Sequence, residues 1–179
     1  MPVADFEKIA ERLRRSLVRV AAGGSGIVWD AQGHIVTNAH VVRGEKTVDV
    51  SAANERREAQ VIWHDRARDL AVLYTAPLAS VVPAVLGDSS LLRPGQLVLA
   101  AGNPLGITGA VTAGVIHAAG PLWIQADIRL APGNSGGILA DASGCVIGIT
   151  AMIVNGLAFA VPSNDAATLI QGVHLRKTA

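Results

Sequence analysis

Between residues 5 and 15 the apolar side chains Phe6, Ile9 and Leu13 are separated by Glu7, Lys8, Glu11 and Arg12. That spacing predicts an amphipathic helix over 5–15. Beyond Ser16 the period shortens to two. Val18-Arg19-Val20 and Lys46-Thr47-Val48-Asp49-Val50 alternate as half-buried strands do. Short apolar runs follow at 27–29, 34–37, 59–63, 70–74, 97–101, 111–116, 122–125, 146–150, 152–154 and 158–161. Turn signals separate many of them: Asp30-Ala31-Gln32-Gly33, Arg43-Gly44, Arg93-Pro94-Gly95, Ala142-Ser143-Gly144 and Asn155-Gly156. Ser163, a good N-cap, opens a closing helix over about 163–172. Many short strands with brief loops and little helix predict an all-β barrel or sandwich. Arg93-Pro94-Gly95 lies midway and marks the candidate boundary between two lobes, about 16–92 and 93–162, of one domain spanning 1–179.

Composition narrows the picture. Half of the 179 residues are hydrophobic but only 3% are aromatic, so the core must be built from Val, Ile, Leu and Ala. A net charge of +1 gives no electrostatic ground for binding nucleic acid or an anionic membrane. The stretches 94–126 and 142–164 lack Asp, Glu, Lys and Arg, yet glycine and proline interrupt the first repeatedly. A lipid-exposed backbone broken that often would leave polar groups unpaired, so buried strands are the better reading. Cys145 is the single cysteine; it lies in an apolar run with nothing basic beside it, which predicts a buried, inert thiol. The charged first twenty residues lack the apolar stretch of a secretory signal, and the expectation is a cytoplasmic protein.

Candidate chemistry sits at three places. Gly133-Asn134-Ser135-Gly136-Gly137 places a hydroxyl in a glycine-rich turn whose backbone N–H groups can face a developing oxyanion. His40 follows Ile35-Val36-Thr37-Asn38-Ala39, and Asp69 precedes the apolar run Leu70-Ala71-Val72-Leu73. Singly, each has a bland explanation: a flexible turn, a core histidine, a turn aspartate. Jointly, in the order His, Asp, Ser, they match the chymotrypsin-type triad and not the subtilisin or α/β-hydrolase order. His40 would take the proton of Ser135 and pass it to the leaving amine, and Asp69 would fix the imidazole tautomer. The N–H groups of Gly133 and Ser135 would form the oxyanion hole. Activity should then rise with pH as the histidine base loses its proton.

The order Ser135, Asp165, His174 also fits a nucleophile elbow, but that motif needs a strand–turn–helix context, and a strand pattern follows Ser135. The five histidines show no zinc spacing, so neither a metal nor another cofactor is implied, and His34, His64, His117 and His174 read as surface or structural residues.

The strings Gly24-Ser25-Gly26-Ile27-Val28 and Thr37-Asn38-Ala39-His40-Val41-Val42 resemble the HtrA (protease Do) family. So do Asp69-Leu70-Ala71-Val72-Leu73, Gly87-Asp88-Ser89, Gly102-Asn103-Pro104-Leu105-Gly106, Gln125-Ala126-Asp127, 132–137 and Phe159-Ala160-Val161-Pro162-Ser163. The resemblance implies two six-stranded antiparallel β-barrels of the chymotrypsin kind with the triad in the cleft between them. It implies a serine endopeptidase acting on unfolded or extended polypeptides, with a silent peptide-binding pseudoprotease as the alternative. It also implies a specificity pocket made by Arg129 and Leu130 on one side and Ala151, Met152 and Ile153 on the other. Such a pocket is small and apolar and suits aliphatic residues before the scissile bond, with Arg129 turned to solvent or paired with Asp127.

Relatives form homotrimers through N-terminal segments, and the face of Phe6, Ile9 and Leu13 is open to two uses, a trimer contact or packing on its own barrel. Three departures stand out. The chain stops at Ala179 without room for a PDZ domain, Ala21-Ala22-Gly23 is short where relatives carry a long loop, and the stretch 114–125 is contracted. Asn134 in place of an aspartate speaks against activation by N-terminal cleavage.

Overall fold

The computed structural model describes residues 3–21 and 23–177; Ala22, in the short segment before Gly24, and the side-chain surroundings of His174 lie outside the described residues. Two closed antiparallel barrels of six strands each make up the chain. The first contains β1 (Leu17–Val20), β2 (Gly24–Val28), β3 (His34–Thr37), β4 (Thr47–Ala52), β5 (Glu55–Asp65) and β6 (Leu70–Tyr74), in the order β1-β2-β3-β6-β5-β4. The second contains β7 (Leu97–Gly102), β8 (Ala110–Ala119), β9 (Ile124–Asp127), β10 (Ile138–Asp141), β11 (Val146–Val154) and β12 (Leu157–Pro162), in the order β10-β11-β12-β9-β8-β7. Closure gives every strand a neighbour on both sides, although the end of β11 beyond Thr150 pairs only with β12. Helices α1 (Val3–Arg14) and α3 (Ser163–Lys177) flank the barrels, and a single turn, α2 (Ala39–Val42), follows β3.

Each barrel has its own core. Val20, Ile35, Val50 and Leu73 fill the first, and Val98, Ile116, Leu139 and Ile147 fill the second. A third cluster joins them: Ile27, Val36 and Val72 of the first barrel meet Leu99, Ile138 and Ile149 of the second. Ile9 and Leu13 of α1, with Phe6 packed beside them, and Leu169, Ile170 and Val173 of α3 close that cluster. The apolar face of α1 is thus covered by its own chain.

Several elements depart from the pattern read along the sequence. No apolar alternation marked β10, because Ile138-Leu139-Ala140 directly follows the glycine-rich turn; it becomes a strand by pairing with β7 and β11. The runs 146–150 and 152–154 are one strand with an irregularity between Thr150 and Met152. Strand β9 starts at Ile124, leaving Leu122 exposed after Pro121. Strand β5 reaches back to Glu55 through four charged residues, which is tolerated because that segment pairs with β4 with its charges outward. Cys145 is half-buried, a correction to full burial; burial, with Asp141 nearby, still raises its pKa above the ordinary thiol value.

Candidate active site

Strand register brings His40 to Asp69. Thr37 at the end of β3 pairs with Ala71 near the start of β6, so the residues just after the one strand lie beside those just before the other. His40 Nδ1 lies 2.8 Å from Asp69 Oδ2 and 3.0 Å from Oδ1, and the His40 backbone N–H donates to Oδ1 at 3.0 Å. The carboxylate therefore grips the first turn of α2 as well as the ring. Asp69 holds a left-handed backbone, φ 53, and buried Asn38 steadies it by donating from Nδ2 to the Asp69 carbonyl at 2.9 Å. The Asp69 side chain is 14% exposed and that of His40 49%, so the pair is shielded on the aspartate side and open on the histidine side.

Ser135 lies in the turn between β9 and β10, and no helix follows it, unlike a nucleophile elbow. Three residues from other elements fix the turn. Asn134 carbonyl oxygen accepts from Gly137 N–H at 2.8 Å and from Thr150 Oγ1 at 2.6 Å. Pro132 carbonyl oxygen accepts from Leu105 N–H at 2.9 Å. Buried Ser25 on β2 donates its N–H to the Ser135 carbonyl and its Oγ to the Gly133 carbonyl, both at 2.8 Å, while Asn103 N–H donates to Ser25 Oγ at 2.8 Å.

In a planar trans peptide the N–H points opposite the preceding C=O. Tying down the carbonyls of Pro132 and Asn134 therefore turns the N–H groups of Gly133 and Ser135 to the other side, where neither has an acceptor among the described residues. Gly133 achieves this at φ 102, and a Cβ there would stand 2.7 Å from the Asn103 carbonyl oxygen. At Gly136 a Cβ would run into the Ser25 carbonyl and Thr37 Oγ1. Only glycine serves at either place.

The Ser135 hydroxyl donates to the Ala151 carbonyl at 2.9 Å, on the strand facing the turn. Of the expected pocket residues, Arg129, Leu130 and Ile153 line one cavity of about 250 Å³ with Asp127, Ile128 and Gly156. Ala151 and Met152 are not part of its lining. Arg129 is exposed, and among the described residues it forms no ion pair with Asp127. Its carbonyl accepts from Thr112 Oγ1 at 2.9 Å, which holds the backbone of the pocket segment. The other histidines stand apart: His34 is buried with Nδ1 2.7 Å from Asp30 Oδ2, and His64 and His117 are exposed. Ser25, Asn38, Asn103 and Thr150 have no chemical signature of their own in the sequence; their hydrogen bonds become visible only when the barrels close.

A trypsin-like peptidase domain profile matches residues 24–149 of the chain. The chain belongs to the trypsin-like peptidase family. Among curated proteins similar to this family member is the chloroplastic Protease Do-like 1 of Arabidopsis thaliana, 40% identical over 167 residues, which cover 82% of this chain and 38% of that protein. The Serine protease Do-like HtrA of Lactobacillus helveticus is 39% identical over 82% of this chain and 42% of its own length. The Brucella suis protein named "Probable periplasmic serine endoprotease DegP-like" is 39% identical over 90% of the chain and 34% of its own length. The family member thus spans well under half of these relatives. Among solved structures, the HtrA-type protease AlgW with a tripeptide superposes with a TM-score of 0.85 at 32% identity, over 94% of this chain and 63% of that one.

The resemblance to HtrA-type proteases and the double-barrel fold expected from it both hold. No helix among the described residues is long and apolar enough to cross a membrane. Relatives named as chloroplastic and periplasmic lend the cytoplasmic expectation no support.

Proposed function

We propose that this chain is a serine endopeptidase that cleaves unfolded or extended polypeptides through His40, Asp69 and Ser135. Two observations carry the reading: a carboxylate-held imidazole on the first barrel, and a serine with two unengaged N–H groups in a turn that Ser25 of the first barrel fixes. Asp69 holds Nδ1 in its protonated form, which leaves Nε2 as the base. As substrate arrives, the Ser135 hydroxyl leaves the Ala151 carbonyl and gives its proton to Nε2 while Oγ attacks the scissile carbonyl. The resulting oxyanion is met by the N–H groups of Gly133 and Ser135. Collapse expels the amine with that proton and leaves an acyl-enzyme, which water hydrolyses by the same route in reverse.

Half-exposed Met152 and Ile153 at the end of β11 offer a surface along which an extended peptide can lie as an added strand. Leu130 and Ile153 then give the neighbouring cavity its apolar wall, suited to an aliphatic side chain before the scissile bond. Similar structures of the HtrA-type protease AlgW hold a tripeptide or a decapeptide, which agrees with a polypeptide ligand here.

A fluorophosphonate probe should label Ser135 alone, and Ser135→Ala should lower turnover about 10⁴- to 10⁶-fold. One observation favours the rival reading of a silent peptide-binding scaffold: the serine hydroxyl is engaged by a carbonyl and not by the imidazole. Folded protein that binds peptide but takes up no probe would establish that rival.

A further inference from the structure

Arg43 and Arg66 line a cavity of about 300 Å³ with His40, Gly44, Asp69 and Ala39. Neighbouring arginines of the first barrel are paired: Arg56 with Asp49, Arg57 with Glu55, Arg68 with Asp65. Among the described residues Arg43 and Arg66 have no carboxylate within ion-pair distance. The one carboxylate in the cavity, Asp69, has both oxygens engaged by His40. Two guanidinium groups thus face one occupied carboxylate, and the cavity is electropositive.

The cavity lined by Arg129 differs, because there Arg129 is accompanied by Asp127 and the charges balance. Arg43 holds φ 52 at the end of α2, a conformation that costs a side-chain-bearing residue energy and that glycine adopts freely. Gly44 follows at φ 80, and a Cβ on it would come within 3.3 Å of the Arg66 guanidinium. The sequence therefore keeps an arginine where glycine is easier and a glycine where a side chain would crowd the second arginine.

We propose that this cavity is a subsite for an acidic side chain, Asp or Glu, carried by the polypeptide within two residues of the scissile bond. The proposal rests on the reading of His40 and Ser135 as the reacting pair, since His40 is the shared wall that ties the cavity to the cleavage point. Guanidinium groups recognise a carboxylate by paired, charge-assisted hydrogen bonds. The site is open to solvent, so the preference is modest and falls with salt.

The test uses extended peptides differing only in Glu or Gln at each of the two positions on either side of the cleavage point. Cleavage is read with the native protein, and binding is read by fluorescence anisotropy with Ser135→Ala. At low salt one position should favour Glu about fivefold in both readouts, the scale of an exposed ion pair. The ratio should fall to about one in the double variant Arg43→Gln/Arg66→Gln and recover with Arg43→Lys/Arg66→Lys. A ratio of one in the native protein, or a preference that survives the glutamine pair, overturns the subsite. Native protein that takes up no fluorophosphonate and cuts nothing removes the protease reading instead, and the anisotropy ratio still decides the subsite.

Discussion

Ser25 shows how much a site depends on residues with no chemistry of their own. Its Oγ donates to the Gly133 carbonyl and accepts from Asn103 N–H, and its N–H holds the Ser135 carbonyl. Removing the hydroxyl leaves a part-buried carbonyl and a buried N–H unpaired beside the turn proposed to aim the oxyanion donors, a loss of about 1–3 kcal/mol. Ser25→Ala should lower kcat about tenfold with KM little changed, because the oxyanion is bound only in the transition state. Steady-state kinetics on one peptide substrate would check this. A rise in KM at constant kcat would show that Ser25 shapes peptide binding and not the oxyanion turn.

At the scale of elements, α1 joins the two barrels more than it decorates them. Leu13 is 3% exposed and lies in the cluster that spans both barrels. Leu13→Ala should cost about 2–4 kcal/mol in denaturant unfolding, the scale of a large-to-small change in a packed core. A loss below about 1 kcal/mol would mean that the helix is held loosely. Ile9 and Leu13 are buried within the chain and Phe6 only partly, and light scattering of the intact protein would report whether a homotrimer forms.

The Ser89–Leu91 turn is tied to the start of α3 in a different way. Asp88 accepts from Ser90 Oγ at 2.6 Å and from Asn164 Nδ2 at 2.8 Å, which holds its carboxyl below the ordinary aspartate pKa.

The whole molecule inherits an acid limb from such groups. Glu55 is likewise lowered, by hydrogen bonds from Ser80 first. A carboxylate with a depressed folded-state pKa stabilises the fold above its unfolded pKa and loses that contribution as pH falls through the folded value. Melting temperature should therefore decline below the ordinary carboxylate range. The gap between the native protein and Asp88→Asn should narrow toward acid. Melting curves from pH 7 to about 3 would show it, and parallel curves would remove Asp88 from the acid limb. Asp88 is exposed and Glu55 partly so, and the effect of either is small.

By itself the sequence determined the fold class and the three candidate catalytic residues. Period-two runs broken by Gly, Pro and Asn favour strands, and the glycines around Ser135 allow the tight turn found there. The strings around His40, Asp69 and Ser135 carried the resemblance to HtrA-type proteases. Tertiary structure decided what local pattern cannot encode. Strand β10 exists because β7 and β11 flank it, and the charged half of β5 is a strand because β4 pairs with it. Ser25 gains its place only when the first barrel meets the second, and Arg43 and Arg66 share a cavity only once β5, β6 and α2 are assembled. A side chain's partner across a barrel is a matter of closure and register, and neither is written in the residues beside it.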